Sequence, residues 1–81
     1  MLRYTKDEER EILYIESDDG GLTTIGRVPD LVSCGALEVT DEAAADPSKW
    51  AVIDMVDIYT VDSLEEALAR VEAEFNADCN A

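Results

Sequence analysis

The chain contains no histidine, and it has only six basic residues, two cysteines, two prolines and four glycines among its 81 positions. Without histidine, the usual Ser–His and Cys–His schemes for activating a nucleophile are unavailable. So few Lys and Arg residues leave no basic patch to neutralise phosphates, which argues against direct binding of nucleic acid. No apolar run approaches the roughly 20 residues of a membrane-spanning helix. The opening MLRYTKDEER turns charged at once, without the apolar region of a secretory signal. The expectation is a reducing cytoplasm with both thiols free and Cys34 serving as a small core residue. Cys34 and Cys79 do not have metal-type spacing, and two cysteines alone do not establish a disulfide.

What the chain does have is acid. Twenty Asp and Glu residues give a formal net charge of −14. Self-repulsion on this scale opposes compaction, and its natural complement is a basic partner, whose opposite field speeds encounter and sets orientation. Nearly half of the residues are apolar, although ten of them are alanine. Leu13, Ile15, Val39, Trp50, Ile53 and Phe75 are among the larger candidates for one modest core. The length suits a single domain, residues 1–81, with only a few kcal/mol of net stability. A homodimer or a bound partner would add to it.

Period and turn chemistry predict an α+β fold: an antiparallel sheet of three to four strands with a C-terminal amphipathic helix on one face. LRY near the start reads as an edge strand in preference to a first helix capped by Thr5. EILYIES (11–17) and LTTIGRV (22–28) flank the DDGG cluster as a β-hairpin. Pro29 and Asp30 break the second run, and SCGALEVT (33–40) reads as a weaker third strand. The alanines of DEAAADPSKW suit a short helical turn, and Asp46-Pro47 resembles an N-cap followed by proline at the first helical position. Residues 52–60 fit either a helical face or a strand, and the density of Val and Ile favours the strand. Ser63-Leu-Glu-Glu66 then matches a capping box. Leu64, Leu68, Val71 and Phe75 follow at helical spacing as one buried stripe. Glu65, Glu66, Glu72 and Glu74 point away from that stripe, with Arg70 within one turn of Glu66 and Glu74 for pairing.

Residue chemistry disfavours catalysis. Paired carboxylates need a cleft to act as acid and base, and a chain this short rarely makes a deep one. ESDDGG has the acids and glycine of a calcium loop, but it lacks the alternating acidic spacing and distal glutamate of an EF-hand. A hairpin turn with acidic flanks explains it better, and no metal or cofactor is expected. Gly20 and Gly21 are followed by no Lys-Ser or Lys-Thr pair, so they do not form a phosphate cradle. Trp50 reads as a residue closing the edge of the core.

The acids themselves remain. Nothing basic lies between Lys49 and Arg70, yet Asp54, Asp57, Asp62, Glu65 and Glu66 fall inside that gap. On a continuous strand Asp54 would share a face with Val52, Val56 and Ile58, while Asp57 would share the other with Ile53, Met55 and Tyr59. A buried unpaired carboxylate is expensive, so both are expected to be exposed, near an edge or an end. These five form the candidate contact set, with Asp18 and Asp19 at the hairpin tip as a second.

A domain of this length has a radius of gyration of roughly 12 Å and spans about 30 Å. B-DNA carries about 18 phosphates over that distance, the same order as the charge of this chain. The acidic runs KDEERE, ESDDGG and DMVDIYTVDSLEE carry a resemblance of type that spans the whole chain. In size, charge and organisation it resembles the small acidic phage proteins that inhibit CRISPR–Cas systems by mimicking DNA. That resemblance implies a bacterial cytoplasm and, as partner, the basic DNA- or PAM-reading groove of the large DNA-sensing subunit of a type I surveillance complex (Cascade). Two other readings fit the composition: a non-enzymatic adaptor or antitoxin-like protein that binds a basic protein, and a salt-adapted cytosolic protein of a halophile.

Overall fold

A computed structural model describes residues 1–55 and 57–80, with side chains to Phe75. Val56, the side chain of Cys79 and the expectations that rest on them lie outside the described residues. Five strands form one antiparallel meander in the order β1 (Leu2–Lys6), β2 (Ile12–Ser17), β3 (Leu22–Arg27), β4 (Trp50–Ile53) and β5 (Ile58–Val61). Two helices, α1 (Val28–Ser33) and α2 (Leu64–Asn80), and a 3-10 turn (Glu42–Ala44) complete the fold. The α+β class, the N-terminal edge strand, the first hairpin and the C-terminal helix are as expected from the sequence. The sheet has five strands rather than three or four.

Alternation along the strands sends apolar side chains to both faces. On one face Ile15, Ile25, Val52 and Val61 meet Ala67 and Val71 of α2. On the other, Ile12 and Ala51 meet Val28 and Leu31 of α1 and Leu37 beyond it. The second layer depends on Gly26, which faces Leu31. A Cβ placed there would lie 3.0 Å from Leu31 Cγ and 3.1 Å from Ile12 Cγ1.

Five local expectations are corrected. Residues 33–40 form no strand. Pro29 does not merely break the chain but occupies the first turn of α1, where its missing N–H costs nothing. Gly35, with φ +83°, then follows the helix end in the left-handed conformation that ends helices. Cys34 caps α1, with its backbone N–H donating to Asp30 O, and is exposed rather than in the core.

The run 52–60 is not one strand but the end of β4, a turn at 54–57 and the start of β5. The Asp54 N–H donates to Asp57 O at 2.8 Å, closing the turn between the paired residues Ile53 and Ile58. Asp46 accepts from the Ser48 N–H at 2.9 Å as an N-cap would. The chain nonetheless enters β4 at Trp50 instead of a helix, because Ala51 and Val52 are buried as strand residues on opposite faces. The short helical turn expected among the alanines is the 3-10 turn, capped by Asp41. Trp50 is half-buried against the α2-side core, with the Arg27 guanidinium 5.1 Å from its ring centroid.

Candidate functional site

Strand direction decides where the acids go. The β2–β3 turn (18–21) and the β4–β5 turn (54–57) both lie at one end of the sheet, because Thr24 pairs with Ile53 and Arg27 with Trp50. Residue 62 follows Val61, which pairs with Trp50, and so lies at the opposite end. Strands of four to six residues separate the two ends by about 13–20 Å. The structure therefore brings Asp54 and Asp57 together with Asp18 and Asp19, not with Asp62, Glu65 and Glu66. The run that is continuous in sequence is divided between the two ends.

At the second end Asp62 and Glu66 have structural partners. Lys49 Nζ pairs with Asp62, which pushes the lysine pKa up. The Ser63 hydroxyl accepts from the Glu66 N–H at 3.1 Å, and the Glu66 carboxylate reaches back to the Asp62 N–H at 2.8 Å. The capping box thus forms, with its return bond one residue earlier than the usual pattern. Glu65 is exposed in the first turn of α2, where an acid suits the helix dipole.

At the turn end Asp19, Asp54 and Asp57 are held by groups of their own chain reversals, and Asp18 by cations at the N-terminus. The first turn is shaped by Gly20, with φ +88°, and by the Ser17 N–H donating to Gly21 O at 2.9 Å. Asp18 accepts from the N-terminal ammonium at 2.7 Å and from Arg3 at 2.8 Å, and these cations hold its carboxyl below the ordinary value. Asp19 accepts from the Ser17 hydroxyl and the Gly21 N–H, which lower its pKa. In the second turn, Asp54 Oδ1 accepts from the Met55 N–H at 2.6 Å and Asp57 Oδ1 from the Ile58 N–H at 2.8 Å. Among the described residues, no ion pair engages Asp19, Asp54, Asp57 or Glu74.

The helix α2 returns along the sheet to this same end, and there a groove of about 280 Å³ opens between helix and sheet. Its apolar lining includes Leu2, Ile15, Val71 and Phe75, and Asp19, Asp54 and Glu74 add carboxylates. Sequence reasoning placed Glu74 on the outer helix face and missed this role. The available signal was its position beside Phe75 and three residues after Val71, on the border of the apolar stripe.

Arg70 makes neither of the expected pairs with Glu66 and Glu74. Its guanidinium lies 4.2 Å from the Tyr59 ring centroid, because Tyr59 of the edge strand presents an aromatic face to α2. Burial raises the Tyr59 pKa, and Glu74, Asp54 and Asp57 raise it further against the opposing Arg70.

Among the described residues, no group of three or more His, Cys, Asp or Glu side chains is arranged to hold a metal ion. Nor is any helix among them long and apolar enough to cross a membrane. No family model matches the chain, and neither a curated protein nor a solved structure matches it significantly.

Proposed function

We propose that this chain is an acidic DNA mimic that blocks target-DNA binding by a type I CRISPR surveillance complex. The observation that carries the reading is the convergence of two acidic turns, 18–21 and 54–57, on one end of the sheet. Three carboxylates there, on Asp19, Asp54 and Asp57, are not engaged in ion pairs among the described residues. The carboxylates of Asp54 and Asp57 each accept a hydrogen bond from the next residue's N–H, so less side-chain freedom is lost on binding. The long dimension of the molecule is 35 Å, over which duplex DNA presents about 20 phosphates. A net charge of −14 on a body of that length competes for the same Lys/Arg-lined channel. The type I complex as partner, and its large DNA-sensing subunit in particular, comes from the resemblance in size and charge described above.

The test is displacement of a labelled target duplex from purified type I surveillance complexes, type I-C among them. Near-stoichiometric displacement that weakens with added salt is the expected result. Asp54→Asn with Asp57→Asn should reduce it more than Glu65→Gln does, since Glu65 stands at the far end of the sheet. No displacement from any complex would remove this reading and direct the search to basic proteins not devoted to DNA.

One observation favours a second reading, salt adaptation. Acids also occupy the opposite end of the sheet and the exposed side of α2, where Glu65, Glu66 and Glu72 face solvent. A melt in low and in molar salt separates the two. A salt-adapted protein needs the salt to fold, whereas a mimic is stable without it.

A further inference from the structure

The groove between α2 and the turn end of the sheet combines two properties that rarely suit one ligand. Ile15 and Val71 in its lining are buried members of the core, and Leu2 and Phe75 beside them are half-buried. Its polar side carries the carboxylates of Asp19, Asp54 and Glu74. A purely apolar occupant would strip water from those carboxylates without replacing it, which is costly. An inorganic cation would find apolar side chains where it needs oxygen ligands. The donors already on Asp19 and Asp54 come from the loops themselves. Phosphate is repelled outright.

An elongated cation with an apolar stem meets both requirements, and the charge of the site selects it. Resting on the reading that this end meets a basic protein, we infer that the groove receives an arginine side chain of that partner. The methylene stem lies along Leu2, Val71 and Phe75, as such stems lie on apolar surface elsewhere. The planar guanidinium presents five donors in a fixed fork, so it can serve more than one of the carboxylates that line the groove. A lysine ammonium is a compact, strongly hydrated charge and cannot span them in the same way. The groove then sets orientation, since charge and apolar contact coincide there.

The experiment is an amide-resolved NMR titration of the full chain with three probes: N-acetyl-arginine amide, N-acetyl-lysine amide and N-acetyl-citrulline amide. Citrulline keeps the shape of arginine and lacks its charge. The expected result is saturable shifts for arginine centred on Thr23, Val71, Glu74 and Phe75. Lysine should bind about tenfold more weakly, the scale of one lost charge-assisted hydrogen bond, and citrulline should produce no saturable shift. Asp54→Asn combined with Glu74→Gln should abolish the arginine response while the amide spectrum stays folded, and Glu38→Gln on the distant loop should leave it unchanged. Equal binding of lysine or citrulline overturns the inference, as do shifts spread evenly between the two ends of the sheet. The titration does not depend on a CRISPR complex. A failed DNA displacement with a positive titration removes the proposed function alone, and the reverse outcome removes the groove assignment alone.

Discussion

Replacing Gly26 by alanine tests the layer that the sequence did not announce. The new Cβ would lie 3.0 Å from both Cγ and Cδ2 of Leu31 and 3.1 Å from Ile12 Cγ1. Comfortable carbon contacts are about 3.5–4.0 Å, so α1 must lift by about 0.5 Å or Leu31 must leave its rotamer. Neither has room, since Leu31 is 0% exposed and Ile12 is 1% exposed. Overpacking of this kind costs about 1–3 kcal/mol. Restricting the unfolded chain by exchanging Gly for Ala returns about 0.4–1 kcal/mol. The net loss is centred on about 1.3 kcal/mol, and at about 4–8 °C per kcal/mol for a domain of this size Tm falls by about 5–10 °C. A thermal melt followed by circular dichroism reads this directly. Adding Leu31→Ala should cost less in the Gly26→Ala background than alone, because the space it opens relieves the clash. A Gly26→Ala variant that melts at or above the wild-type temperature would refute the packing of α1 on this face.

Ser63→Ala removes the oxygen that accepts from the Glu66 N–H and should cost about 1 kcal/mol, read as a lower Tm with unchanged cooperativity. Tyr59→Phe should leave Tm unchanged or raise it, because the Tyr59 hydroxyl is buried without a hydrogen-bond partner among the described residues; a clear loss of stability would show that it is satisfied. Asp18→Asn tests the pH dependence. Its carboxyl is held below the ordinary value by the N-terminal ammonium and Arg3, so its contribution is fully present above the usual carboxylate range and is lost as pH falls through the lowered native value. The Tm gap between wild type and Asp18→Asn should therefore be positive at neutral pH and close in strong acid. A gap that widens on acidification would contradict the assignment.

Elements with strong local chemistry are legible in the sequence itself. Ser63 and Glu66 cap α2 because a hydroxyl and a carboxylate at that spacing satisfy free backbone N–H groups whatever surrounds them. The DDGG turn is similar, since Gly20 supplies the positive φ that the hairpin requires. The misreadings share a cause. Pro29 can end a strand or open a helix, and only the burial of Val28 and Leu31 against the sheet selects the second. The turn at 54–57 has no Gly, Pro or Asn to announce it, and its two aspartates read as charges on a strand rather than as acceptors for their own turn.

The candidate site shows the same division more sharply. Composition alone determined that the protein is strongly acidic and poor in the groups that catalysis commonly uses, because net charge and residue type need no geometry. The periodicities of two and of 3.6 determined a sheet with a helix on it, because amphipathic patterns express local backbone geometry. Which acids stand together was decided only by the tertiary structure. A meander of short strands reverses the chain every few residues, so Asp54 lies at the same end as Asp19, far away in sequence, while Asp62 is carried to the other end. Glu74 joins them because α2 runs back along the sheet, a direction set by long-range packing of Ala67 and Val71 on Ile25 and Val52.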